Sequence, residues 1–145
     1  MRILVDTNVF LDLLLKREPF FEEGVEFIKK CKKERHEIYV NAMQFRDIEY
    51  IIRKKVDNKK TYDMLIGGVY GIVNKVIPLT ADDAINAIFE PGKDFEDTLL
   101  ANSAESAGLQ VIVSSNAKDF YPTNIRAFTL KEFNALKENS YNGEK

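Results

Sequence analysis

The chain has 145 residues, 45% hydrophobic and 30% charged, with a formal net charge of −2. This is the length of one domain, which buries roughly 70% of its unfolded surface, and the composition excludes a disordered or collagen-like chain. One cysteine, Cys31, and one histidine, His36, exclude an intramolecular disulfide, a Cys-based zinc site and a His-dependent triad.

Charge is unevenly placed. The first 60 residues are net positive and the remainder net negative, so one end can meet a polyanion while the other supplies carboxylates. The aliphatic pattern begins at Ile3 and leaves no room for a basic leader, and no apolar run approaches the ~20 residues of a membrane span. A cytoplasmic protein without a membrane association is expected.

Arg2 to Val5 is a short β-branched apolar run that reads as a strand, and a polar turn at Asp6, Thr7 and Asn8 leads into Val9, Phe10, Leu13 and Leu14 at helical spacing. Pro19 opens a second helix with Phe21, Val25 and Ile28 on one stripe, ending in the basic run KKCKKER. Glu37 to Val40 reads as a second strand. Helices are predicted over about 42–55 and 59–74, the latter weakened by Gly67, Gly68 and Gly71.

Val76 to Leu79 suits an edge strand despite Pro78, and Thr80 with Asp82 and Asp83 marks a helix start. DFEDTLLANSAESA, residues 94–107, is helical up to Gly108, before a strand over Gln110 to Val113. Arg126 to Thr129 reads as a further strand before a terminal helix from about Lys131. Strands alternating with helices predict an α/β fold: one compact domain, residues 1–137, whose central parallel sheet has helices on both faces, with 138–145 as a loose tail.

In such sheets sites form beyond the carboxyl ends of the strands. Asp6 stands there after the first strand, and Asn116 and Asp119 follow the strand QVIV. Asp47 lies early in the third helix, with Glu49 as a rival for its role. Asp97 shares a helix face with Ala101, Ala104 and Gly108, small residues that allow a close approach to the sheet.

Two carboxylates ~4 Å apart repel by about 4 kcal/mol at an effective dielectric near 20, so four converging acids must protonate, spread or bind a cation. All-oxygen ligands suit Mg²⁺ or Mn²⁺, ions that polarise a phosphoryl oxygen. Each acid also has a plain structural reading: Asp6 or Asp94 as a helix N-cap, Asp47 as a solvated helix residue, Asp119 as a turn residue, and Glu96 with Asp97 as partners of a helix dipole. The clusters Lys29–Arg35 and Arg53–Lys55 read as solvated faces, and the six tyrosines as core or boundary residues rather than base-stacking platforms.

The stretches LVDTNVFLDLL, RDIEYIIRKK, DFEDTLLANSAESAGLQVIVSSNAKDF and FTLKEF, in that order, resemble the PIN-domain ribonucleases, a family that includes the toxins of many toxin–antitoxin pairs. The resemblance implies an acidic pocket holding Mg²⁺ or Mn²⁺ for RNA cleavage, single-stranded RNA foremost and structured RNA as a further substrate. It also implies a cognate antitoxin as partner, and a second copy of the chain as an alternative cover for the apolar first helix.

Carried over to this chain, Asp6, Asp97 and Asp119 would hold the metal. Asp47 would be the further acid, holding a second ion or orienting the water, with Thr7, Asn8, Glu96, Ser114 and Asn116 in support, and Lys and Arg side chains from residues 29–60 would meet the RNA backbone. Two departures stand out: Asn116 is an amide where many members carry an acid, and Ser114-Ser115 replaces a common Thr-Arg. Two other readings stay open, a degenerate PIN-like module that binds RNA or protein without cleaving, and a phosphotransfer domain. Asn8 speaks against the second, because an aspartate is expected there.

Overall fold

The computed structural model describes residues 1–120 and 124–138. The chain runs β1 (Arg2–Val5), α1 (Thr7–Leu14), α2 (Phe20–Glu34), β2 (Glu37–Asn41), α3 (Gln44–Lys55), α4 (Lys59–Ile72) and β3 (Lys75–Ile77). It continues through α5 (Ala81–Phe89), α6 (Phe95–Ser106), β4 (Val111–Val113), a 3₁₀ turn (Ala117–Phe120), β5 (Arg126–Phe128) and α7 (Leu130–Ala135). The predicted tail lies outside the described residues apart from its first residue, Glu138.

The five strands form one parallel sheet in the order β3-β2-β1-β4-β5. Alternating side chains divide the core between its two faces. Ile3, Val5, Val40, Val111 and Val113 face α1, α2, α3 and α7, where Phe10, Phe27, Ile48, Ile52 and Phe133 close the layer. Leu4, Tyr39, Ile77 and Ile112 point the other way, onto Leu100, Ala101 and Ala104 of α6. With both faces covered, the central strands carry aliphatics at nearly every position, which is why QVIV and ILV read as runs rather than alternations.

Local chemistry sets the helix ends. Thr80 and Thr129 each form a reciprocal capping box, with Asp83 and Glu132. Asn58 and Asp94 cap α4 and α6. Gly108, at φ +72°, turns the chain out of α6 into β4 in the left-handed region where a Cβ is costly.

The buried stripe of α2 differs from the expected one. Gly24, Phe27 and Cys31 face the core, whereas Phe21, Val25 and Ile28 are only half-buried. The cause is the approach of α1: a Cβ on Gly24 would stand 2.8 Å from Cδ2 of Leu13, so the glycine lets the two helices touch and rotates α2 toward that contact. Within α1, Val9, Phe10 and Leu11 are buried, and each contributes on the order of 1.5–3 kcal/mol. Leu14 and Leu15 are half-buried.

Of the six tyrosines, Tyr39 in the core and the half-buried Tyr62 match expectation, but Tyr50 and Tyr70 are 52% and 71% exposed, because α3 and α4 turn those positions away from the sheet; Tyr121 and Tyr141 lie outside the described residues. No helix among the described residues is long and apolar enough to cross a membrane.

Candidate active site

The carboxyl ends of β1 and β4 lie side by side, and the chain leaves each into a separate helical segment. Asp6 sits at this junction, 9% exposed, with its backbone N–H donating to Val113 O at 2.9 Å. One carboxylate oxygen, Oδ1, accepts from Thr7 N at 2.8 Å, and the other, Oδ2, accepts from Ser114 Oγ at 2.7 Å. Asp6 is therefore the N-cap of α1 and also a cleft residue. Burial pushes its carboxyl up, against the pull of the Ser114 and Thr7 bonds.

Around Asp6 opens a cleft of about 540 Å³. Asp97 enters it from the first turn of α6, with its N–H held by Asp94 Oδ1 at 2.9 Å. The Asp97 carboxyl is pushed up to about 7, by burial first and then by the negative charges of Asp6, Asp94, Asp119 and Glu96. Glu96 is also raised, by burial and by Asp47, with which it shares a hydrogen bond.

Asp119 reaches the cleft from the 3₁₀ turn after β4, where its N–H donates to Asn116 O at 2.9 Å. Asn116 lines the same wall, its own N–H bonded to Ser114 Oγ at 3.0 Å. The structure thus brings Asp6, Asp47, Asp97, Asp119, Glu96 and Asn116 to one opening, which Thr7 and Asn8 also line. Ser114, fully buried, stands behind Asp6. Glu49 points elsewhere: it accepts from Tyr62 OH at 3.1 Å and pairs with Arg53 at 3.2 Å, away from the cleft that Asp47 lines.

A family model described as PIN domain matches residues 2–118. The chain belongs to the PIN-domain family.

Solved structures similar to this PIN domain include DNA-bound VapBC from Salmonella typhimurium, at 18% identity and TM-score 0.68 over 90% of this chain and 98% of that one. VapBC2 from Rickettsia felis bound to a promoter DNA fragment matches at 14% identity and TM-score 0.66, over 89% and 98%. A toxin–antitoxin complex from Klebsiella pneumoniae matches at 17% and 0.62, over 88% and 97%. At such identities the likeness is one of fold. A comparison with curated protein sequences returned no match.

Among the described residues of this PIN domain, no three acidic, histidine or cysteine side chains stand in a metal-coordinating arrangement. The donor chemistry nonetheless fits a hard divalent cation: the cleft offers carboxylate and amide oxygens, with no imidazole or thiol, and its acids raise one another's affinity for protons. A group of charges that repel in this way binds either protons or a cation.

Four cleft features escaped the sequence reading. Gln44 is 1% exposed and ties three elements, accepting from Asn41 N at 2.7 Å and donating to Val5 O at 2.8 Å and Thr7 Oγ1 at 3.2 Å. Asp94 lines the cleft in addition to capping α6. Arg17, paired with the buried Asp12 at 2.9 Å, and the exposed Tyr50 line it as well. No local motif marks Gln44, Arg17 or Tyr50. For Asp94 the signal was present, a third acid in DFED, but capping alone accounted for it.

Proposed function

We propose that the chain is a metal-dependent endoribonuclease that cleaves single-stranded RNA, and that it is the toxin of a toxin–antitoxin pair. The observation that supports this most is the convergence of Asp6, Asp97, Asp119 and the Asp47–Glu96 pair, drawn from four separate segments, at the carboxyl edge of the sheet.

In this reading Asp6, Asp97 and Asp119 hold Mg²⁺ or Mn²⁺. The bound ion supplies Lewis-acid polarisation of a phosphoryl oxygen and charge relief in the transition state. Ser114 and Thr7 N–H fix the Asp6 carboxylate so that it needs no reorganisation on binding. Asp47, hydrogen-bonded to Glu96, orients the attacking water, and burial together with the neighbouring Asp47 raises the Glu96 carboxyl. Asn116 offers a neutral oxygen beside Asp119.

Protein partners fit the outer surface. Ile85, Ile88 and Phe89 form an exposed stripe on α5, with Phe89 79% exposed, and Phe95 lies exposed at the start of α6. Contiguous apolar surface of this kind is normally covered by another chain. The similar structures are complexes of toxins with antitoxins, which supports a cognate antitoxin here, with a second copy of the chain as the other occupant.

The test is cleavage of a single-stranded RNA with increasing Mn²⁺, in the parent and in Asp6→Asn. Cleavage that saturates with the ion and is lost in Asp6→Asn is expected. RNA left intact by the parent at millimolar Mn²⁺ would instead favour the degenerate binding module. A small neighbouring upstream gene encoding a DNA-binding domain would support the toxin role.

A further inference from the structure

The cleft has two unlike walls. One carries the acids of β1, α6 and the 3₁₀ turn, and the other is the face of α3, where Tyr50, Ile51 and Lys55 continue outward from Asp47, joined by Arg17 from the α1–α2 connection. An RNA strand meeting only the first wall would be repelled.

Tyr50 is 52% exposed, and Lys54 Nζ lies 5.6 Å from its ring centroid, a cation–π contact that occupies one face of the ring and holds its orientation. Lys55 is exposed and has no ion-pair partner among the described residues, so its charge is uncommitted. Arg17 spends one donor on Asp12 and keeps others. Helical rise places the Lys55 backbone about 12 Å along α3 from that of Asp47.

We propose, building on the nuclease reading above, that this wall is a nucleotide subsite: the free face of Tyr50 stacks an unpaired base, while Lys55 and Arg17 hold the adjoining phosphates. Every base has a π-face, so the stack tolerates any sequence, but a base must be unpaired to enter it. The subsite therefore selects single-stranded over duplex RNA and leaves sequence choice to other contacts. Tyr50 is a positioning residue, outside the reacting atoms.

The experiment measures binding by fluorescence anisotropy, with Asp97→Asn as a cleavage-blocked parent and a labelled oligouridylate and an RNA duplex as probes. Adding Tyr50→Ala weakens oligouridylate binding by about tenfold, leaves duplex binding unchanged, and is rescued by Tyr50→Phe. Adding Lys55→Gln lowers the slope of log affinity against log salt by about 0.7. Both positions are exposed, so circular dichroism should match the parent.

Oligouridylate affinity within about twofold of the parent in Tyr50→Ala, or an unchanged salt slope in Lys55→Gln, overturns the subsite while leaving the nuclease reading intact. A parent that binds no RNA, together with wild-type protein that cleaves none, overturns the nuclease reading itself. Unchanged RNA affinity in Tyr50→Ala with loss of a co-purifying protein assigns the wall to that protein and overturns the proposal.

Discussion

The hydroxyl of Ser114 donates to the carboxylate of Asp6 at 2.7 Å across a sequence separation of 108 residues, both groups lying at the carboxyl ends of adjacent strands. The same oxygen of Ser114 accepts from Asn116 N at 3.0 Å, so one side chain organises both the first acid and the turn that carries Asp119. Ser114→Ala leaves Asp6 Oδ2 without this partner in buried surroundings and removes the acceptor of Asn116 N, and should cost about 1–3 kcal/mol of stability. Urea unfolding measures the loss. Ser114→Thr, which keeps the hydroxyl, should lose less, and equal losses in the two variants would show that packing, not the hydrogen bond, is at stake.

Asp97 sets a pH dependence. Its carboxyl is raised from the ordinary value of 3.8 to about 7, so the folded state favours the protonated form. The stability linked to it is fully present below pH ~4 and is lost as pH rises through about 7. In metal-free protein, Asp97→Asn should therefore raise the melting temperature at pH 8 and change it little at pH 4. Water reaches this half-buried group and screens it, so the gain is roughly 1 kcal/mol or less. An equal effect at both pH values would show that Asp97 gains no protonation on folding.

A cation should relieve the same repulsion. As a ligand of the native state alone, Mn²⁺ at a hundredfold excess over Kd stabilises by ~2.7 kcal/mol, a shift of several degrees in Tm for a chain of this size. Differential scanning fluorimetry reads it directly, and Asp97→Asn should remove it. A Tm unmoved by millimolar Mn²⁺ in the parent would count heavily against a metal-holding cleft.

The first strand, its exit at Asp6 and the helix carrying Asp97 could be read from the sequence because each depends on local pattern: an apolar run, a polar turn, a capped helix start with small residues along one face. So could the two-sided parallel sheet, from the alternation of strands with helices. The far wall of the cleft could not. Gln44, Arg17 and Tyr50 acquire their roles from the docking of α3 and the α1–α2 connection beside β1, and no spacing within either segment records that docking. Tyrosine usually buries its ring, yet Tyr50 stands exposed, and the apolar spacing of Phe21, Val25 and Ile28 does not mark the buried face of Gly24, Phe27 and Cys31, since nothing local signals the contact of Gly24 with Leu13. The choice between Asp47 and Glu49 is likewise a matter of rotation about α3, where Tyr62 and Arg53 engage Glu49.

Asn116 and Asp119 permit a swap. Asp119→Asn should lower cleavage of single-stranded RNA by at least ~10²-fold, equivalent to about 2.7 kcal/mol of transition-state stabilisation, while Asn116→Ala should cost less. Because the two residues line the same wall within one turn, the double change Asp119→Asn with Asn116→Asp should restore part of the rate. If Asp119→Asn cleaves as fast as the parent while Asp6→Asn is inactive, the cleft works with fewer acids.

The α5 stripe should govern association. Ile88→Lys and Phe89→Ser alter exposed side chains, so Tm should stay within about 2 °C. Light scattering should then show a smaller assembly than the parent forms, alone or with a co-purifying protein. Identical masses for variant and parent would place the protein interface elsewhere.

The acids of the cleft come from positions spread between Asp6 and Asp119, and Asp6 is held by a serine that directly follows β4. A growing polypeptide emerging from the ribosome therefore carries no working fragment of this centre: until Ser114 and the following turn have been synthesised and β4 has slotted beside β1, the early acids remain scattered. The cleft is complete only once β4 and the turn that follows it are in place. A chain cut short anywhere before β4 has Asp6 without its serine partner and lacks the turn that carries Asp119.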